Sequence, residues 1–262
     1  MSAVAVYVSV GALVGFSIGL TGVGGGSLMT PLLLALGVPT PIAIGTDLLY
    51  ASVTKAGSAF LHWRRQHVRW RVVVALASGS LPGTLLTLFC LHHFHVQSAL
   101  LAPLMHRVLG VMLLLTGLSL IGKRRLQAQA LHRELRPGPE ITRSSLLLST
   151  GTGFLLAPLI TLSSVGAGAI GVVVLMLLYP RLRTQELMGS DVVHAVLLSA
   201  IAGYGHARAG YVDFHLLLAL CAGSLPATLL GTHLSTRAPE QTLRYILGTT
   251  LLVVAGKFVF FY

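Results

Sequence analysis

The sequence predicts an all-α integral membrane protein. It calls for about eight transmembrane helices in two repeated halves, each half with a glycine-rich broken or re-entrant segment. Three observations predict this. The chain is strongly apolar: of 262 residues, 54% are hydrophobic and 10% charged, with mean hydropathy +0.83, whereas a soluble domain carries roughly 25% charge. Apolar runs of about 20 residues, the length that spans a bilayer as a helix, recur along it. Finally, the chain repeats itself. Gly45-Thr46-Asp47-Leu48-Leu49 returns as Gly189-Ser190-Asp191-Val192-Val193, Gly79-Ser80-Leu81-Pro82 as Gly223-Ser224-Leu225-Pro226, and His62 as His206, all at one offset of 144 residues. A period of half the chain is too long for a solenoid and fits two halves about a pseudo-two-fold axis.

Taken in order, spans are predicted at about 4–20, 42–62, 72–90, 104–122, 144–162, 188–205, 212–231 and 243–261. Residues 1–122 form the first repeat, 123–143 a basic linker and 144–262 the second repeat. The N-terminal run lacks a basic start and continues into a glycine motif, so it reads as the first membrane helix rather than a signal peptide. Two shorter segments, 21–39 and 163–180, follow the first helix of each half. Short interrupted segments at matching places point to a solute site, because non-helical backbone at membrane depth must be buried or line a cavity. Tight glycine packing between helices would give the same pattern. Re-entrant segments would give four spans and parallel repeats, the reading preferred from the shortened apolar runs. Full crossings would give five spans and inverted repeats.

Charge sets the orientation. The net charge is +11 and the pI near 10.5. The cations collect at 63–71 (Arg64, Arg65, Arg69, Arg71) and at 123–143 (Lys123, Arg124, Arg125, Arg133, Arg136, Arg143). Two helices separate these loops, so both are expected on the cytoplasmic side of a multi-pass protein. No basic face interleaved with aromatic residues is present, which argues against nucleic acid as a partner.

Carboxylates inside membrane helices are costly and therefore functional candidates. Asp47 and Asp191 occupy equivalent points of the repeat, expected at helix starts, where either helix capping or ion and proton handling would suit them. After Asp47 a polar stripe carries Tyr50, Thr54 and Ser58, with Lys55 and His62 on its shoulder; Asp191, His194, Ser199 and His206 repeat it more thinly. Lys55 suits an anionic substrate, or it snorkels to the interface. His62 and His206 are expected at the cytoplasmic ends of equivalent helices.

Thr21-Gly22-Val23-Gly24-Gly25-Gly26-Ser27 is the sharpest local motif. Its glycines let backbone amides approach an anion, beside a half-helix N-terminus. Ser163-Ser164-Val165-Gly166-Ala167-Gly168 is a degraded counterpart. The expected substrate contacts are thus Thr21, Gly22, Gly24, Gly25, Gly26, Ser27, Lys55, Ser163, Ser164, Gly166 and Gly168. Asp47 and Asp191 are the expected coupling groups. His92, His93 and His95 lie together without a carboxylate or thiol, and no metal is expected. Cys90 and Cys221 read as small buried hydrophobes.

The run Gly19-Leu20-Thr21-Gly22-Val23-Gly24-Gly25-Gly26-Ser27-Leu28, then Pro31, then Ala43-Ile44-Gly45-Thr46-Asp47-Leu48, resembles the TauE/SafE sulfite exporter family of membrane permeases. The repeated Gly-Ser-Leu-Pro element fits as well. The resemblance covers nearly the whole chain and implies an inner-membrane carrier for sulfite, thiosulfate or sulfur-containing organic anions, working without ATP and coupled to protons. It implies no cofactor. The second glycine motif departs from the first, with Ala167 in place of a glycine and no proline matching Pro31.

The expected function is therefore a secondary transporter for a small anion, with the lipid bilayer and that anion as its partners and homo-oligomers permitted. The alternatives are an intramembrane enzyme, for which no HExxH or GxSxG arrangement is present, and a non-transporting membrane scaffold.

Overall fold

The fold is taken from a computed structural model, which describes residues 3–21, 26–93, 98–134, 141–234, 248–256 and 258. These hold α1 (Ala3–Thr21), α2 (Gly26–Ala35), α3 (Thr40–Arg64), α4 (Trp70–His93), α5 (Ser98–Glu134), α6 (Arg143–Ser163), α7 (Ala169–Leu178), α8 (Thr184–Arg208) and α9 (Phe214–Leu234). Residues 248–256 are helical too, and no strand occurs among the described residues. Among the described residues five helical stretches are long and apolar enough to cross a membrane: Trp70–His93, Leu101–Gly122, Arg143–Ser163, Thr184–Arg208 and Phe214–His233. Their outward side chains are apolar, with Leu147 and Leu229 both 74% exposed. Such a surface suits lipid rather than water. α3 has the length to cross, at 25 residues, but Asp47, Lys55 and its terminal Arg64 dilute its hydropathy. Its polar residues Thr46, Asp47 and Lys55 are instead buried among other helices.

The segments 21–39 and 163–180 contain α2 and α7, each of 10 residues, or about 15 Å, half the thickness of the hydrocarbon layer. Each half therefore has one more helical element than the four expected. The helices repeat in register: α3 runs from Thr40 to Arg64 and α8 from Thr184 to Arg208. Glycine contacts fix the relative directions of the helices. A β-carbon added at Gly45, early in α3, would strike the Tyr211 carbonyl beyond the end of α8, and one at Gly189, early in α8, would strike the His67 carbonyl beyond the end of α3. α3 and α8 are thus antiparallel, as the inverted alternative requires and the preferred parallel one does not allow. It follows that His62 and His206 lie at opposite ends of the molecule, not both at one end.

The first helix of each half packs on the fourth helix of the other. α1 runs parallel to α9: Gly11, Gly15 and Gly19 abut the backbone of Leu220, Ser224 and Thr228, while Gly223 and Gly231 abut Val8 and Phe16. α4 runs parallel to α6 in the same manner, Gly79 against Thr150 and Gly153 against Leu76. Small residues let helices approach where lipid supplies no hydrophobic drive for association. The Gly of each Gly-Ser-Leu-Pro repeat is therefore a packing residue, and its proline sits inside α4 or α9.

One further expectation changes. Asp47 and Asp191 each stand two turns inside their helices, not at helix starts, so neither is a cap. In the region 123–143, α5 continues as far as Glu134. His92 and His93 end α4, His95 lies outside the described residues, and no group of three metal-ligating side chains occurs among those described.

Replacing Gly79 by leucine forces a side chain into the Thr150 backbone and should cost about 3 kcal/mol, read as a lowered unfolding temperature in detergent. Gly57 has nothing within 4 Å of its added β-carbon. Gly57→Ala should leave that temperature unchanged or raise it.

Candidate functional site

The repeated Gly-Thr/Ser-Asp motif builds the centre of the molecule. Each of its three positions does a separate job. Gly45 and Gly189 allow the close approach of α3 and α8 to the turns at each other's ends. The hydroxyls then cap those turns: Thr46 Oγ1 accepts the Asp213 N–H at 3.1 Å, and Ser190 Oγ accepts the Arg69 N–H at 2.9 Å. The turns themselves match, with the His67 N–H donating to the His62 carbonyl and the Tyr211 N–H to the His206 carbonyl, both at 2.9 Å. Both reverse through a left-handed residue, Gln66 (φ 58°) or Gly210 (φ 79°). With Gly and Thr or Ser held in this way, the third residue, Asp, points into the bundle.

Asp47 is fully buried. Its Oδ2 accepts the Thr30 hydroxyl of α2 at 2.5 Å and the Ser164 hydroxyl at 2.9 Å. Its Oδ1 has no hydrogen-bond partner among the described residues. Ser164 ends α6 in a left-handed conformation, φ 61°. One carboxylate thus ties α2 of the first half to the α6–α7 break of the second. Asp191 is also buried and lies against α7, where a β-carbon at Gly171 would collide with its Oδ1 and one at Gly168 would come within 4.0 Å of Oδ2. Lys55, 7% exposed, donates from Nζ to the Ala167 carbonyl at 2.8 Å. That carbonyl is available because the helix is broken at 164–168. Lys55 also lies within electrostatic reach of both Asp191 and Asp47.

Of the expected site residues, Asp47, Lys55, Ser164, Gly168 and Asp191 converge here. Ser163 does not join them: its hydroxyl donates back to the Leu159 carbonyl and accepts the Val165 N–H. Gly166 faces α5, where a β-carbon would meet the Met112 methyl, so its role is packing. Thr21 ends α1 while Gly26 and Ser27 open α2, their contacts outside what is described; Gly22, Gly24 and Gly25 lie outside the described residues altogether.

The structure adds groups that the sequence reading did not name as contacts. Thr30 was hidden beside Pro31 in an apolar stretch. Ser80 and Ser224 sit inside the Gly-Ser-Leu-Pro repeat, and the repeat itself was the available signal. Ser80 Oγ lies 2.7 Å from His194 Nε2. The two line a cavity of about 20 Å³ with Asp191, Gly171 and Ala167, room for about one water. His206, buried, bonds through Nε2 to the Thr161 carbonyl at 2.9 Å and so joins α8 to α6. At the other end Arg69 pairs with Glu186 at 2.8 Å, holding the α3–α4 turn on the start of α8.

A centre with two buried carboxylates, one ammonium and several hydroxyls, set between half-length helices, can hold a small charged solute or exchange a proton. The sequence pattern described as Sulfite exporter TauE/SafE matches residues 7–258.

The chain belongs to the TauE/SafE sulfite exporter family.

Similar proteins of this kind span its length. It is 35% identical over 254 residues to the probable membrane transporter protein YjnA of Bacillus subtilis, covering 95% of this chain and 97% of that one. A probable membrane transporter protein of Xylella fastidiosa is 28% identical over 256 residues (95% and 92%), and MJ0441 of Methanocaldococcus jannaschii, named likewise, is 23% identical over 264 residues (95% and 92%). No solved structure matches the chain. This TauE/SafE chain is a multi-pass membrane protein by its family and its five apolar spans.

Removing the Asp47 carboxylate strands the Thr30 and Ser164 hydroxyls in a dry interior, so Asp47→Ala should cost about 2–3 kcal/mol in detergent unfolding. Asp47→Asn keeps an acceptor oxygen and should cost less than half as much. Equal losses would show that the hydroxyl bonds contribute nothing.

Proposed function

We propose that this chain is a secondary transporter that carries a small anion, sulfite first and otherwise thiosulfate or an organosulfur anion, across the cell inner membrane with proton coupling. The observation that carries this reading is the Asp47 node. There a half-length helix of one half and the helix break of the other meet on one buried carboxylate, beside a buried lysine. Broken helices meeting near the centre of antiparallel repeats are how carriers expose a site to one side and then the other.

In this reading the halves 1–122 and 144–262 rock against each other, with the basic segments 63–71 and 123–143 cytoplasmic. Lys55 supplies the charge that attracts the anion. Thr30 and Ser164 supply neutral donors. The broken segments give α2 and α7 the freedom to shift while the Gly-Thr/Ser contacts hold α3 and α8. The transporter names of the relatives support a carrier over an enzyme, and no catalytic step is assigned. The family's description is the support for sulfite.

The test is uptake of labelled sulfite, thiosulfate and sulfate into proteoliposomes with an imposed pH gradient. One sulfur anion should accumulate in response to the gradient. Lys55→Met should lower its flux about tenfold or more, the equivalent of one lost favourable charge contact, without lowering the yield of folded protein. No flux of any of the three, in folded protein, would contradict the reading.

A further inference from the structure

The break between α6 and α7 is held from across the molecule by α3. α6 ends at Ser163 and α7 begins at Ala169. Between them Ser164 (φ 61°), Gly166 (φ 106°) and Gly168 (φ 124°) leave right-handed helical backbone. Two contacts from α3 fix this segment. Asp47 Oδ2 accepts the Ser164 hydroxyl at 2.9 Å, and Lys55 Nζ donates to the Ala167 carbonyl at 2.8 Å. Asp47 and Lys55 stand about two turns apart on α3. One helix of the first half thus grips both ends of a break in the second.

The Lys55 contact is open to competition. It joins an ammonium to a neutral carbonyl, and an anionic oxygen is the stronger acceptor of an ammonium N–H. The four-carbon stem of lysine lets the head group follow an anion away from the carbonyl. A buried carbonyl cannot be left without a donor. Ala167, however, also lines the cavity of about 20 Å³ shared with Ser80 and His194, which has room for about one water. A water there is the donor the carbonyl needs once Lys55 lets go.

The device is one-sided. The offset of 144 sets Ser199 in the other half where Lys55 stands in the first. No lysine or arginine besides Lys55 is buried among the described residues. An anion entering the centre therefore finds its buried ammonium only where that ammonium holds the α6–α7 break.

We propose that Lys55 is the latch of the α6–α7 break, and that an anion opens the break by drawing the ammonium off the Ala167 carbonyl. Lys55 is then a positioning residue for the break as well as the charge that attracts the solute. The proposal deepens the transport reading and rests on it only for the identity of the anion. It couples occupancy to movement: the segment between the half-length helix α7 and α6 is held while the centre is empty and freed once it is filled.

The break reports on itself through hydrogen exchange. The Ile170 N–H donates to the Gly166 carbonyl at 3.2 Å, across the residue that Lys55 holds. Exchange at 164–172 is read by mass spectrometry on the purified full chain, in sodium sulfite and in sodium chloride of equal ionic strength. In wild type, sulfite should speed exchange there and leave 146–156 of α6 unchanged. In chloride, Lys55→Met should already exchange about tenfold faster than wild type, the scale of one lost hydrogen bond from a charged group, and sulfite should add nothing. Ser164→Ala, which removes the other grip, should also exchange faster but still respond to sulfite. The latch is overturned if Lys55→Met exchanges like wild type, if it still quickens with sulfite, or if sulfite slows the break in wild type. A wild-type break indifferent to sulfite, with Lys55→Met fast as described, supports the latch and counts against sulfite as the anion.

Discussion

A carboxylate sealed from water must be satisfied by the protein itself, and the rest of this structure is arranged around doing so for Asp47. Its hydroxyl donors come from Thr30 and Ser164, one in each half of the chain. Neither half can bury Asp47 alone. The half-length helix α2 and the break between α6 and α7 therefore meet on this one carboxylate, through Thr30 and Ser164. Buried polar contacts of this kind define a single arrangement when they are complete and are costly when they are not.

The Gly-Thr/Ser-Asp triplet shows how few residues such a centre takes. Gly45 and Gly189 set how closely α3 and α8 approach the turns across from them. Thr46 and Ser190 fix the docking through one bond each. The aspartates are left pointing inward. Because each motif grips the turn that ends the other motif's helix, the arrangement is reciprocal, and it closes only if the two helices run in opposite directions.

Much of this was legible in the sequence, and the exceptions have physical causes. Apolar length revealed the five spans found among the described residues, and the offset of 144 paired α3 with α8. The direction of that pairing was not legible, because 10-residue helices such as α7 fall between a re-entrant loop and a span. Asp47 was picked out by its rarity in an apolar run, but misplaced at a helix start, since Gly-Thr-Asp in isolation reads as a cap. Thr30, Ser80 and Ser224 were passed over because a hydroxyl in a membrane helix often bonds its own backbone one turn back, as Thr161 does here. Only the fold shows which hydroxyl looks elsewhere. Ser163 illustrates the converse: chosen as a ligand, it turns back to Leu159.

The account centres on an anion seated beside Lys55 between the two carboxylates. Calorimetric titration of sulfite into the detergent-purified chain tests this most directly. The account predicts saturable binding with one site per chain that disappears in Lys55→Met. No saturable heat in the folded wild-type chain, or equal binding by the variant, would contradict it.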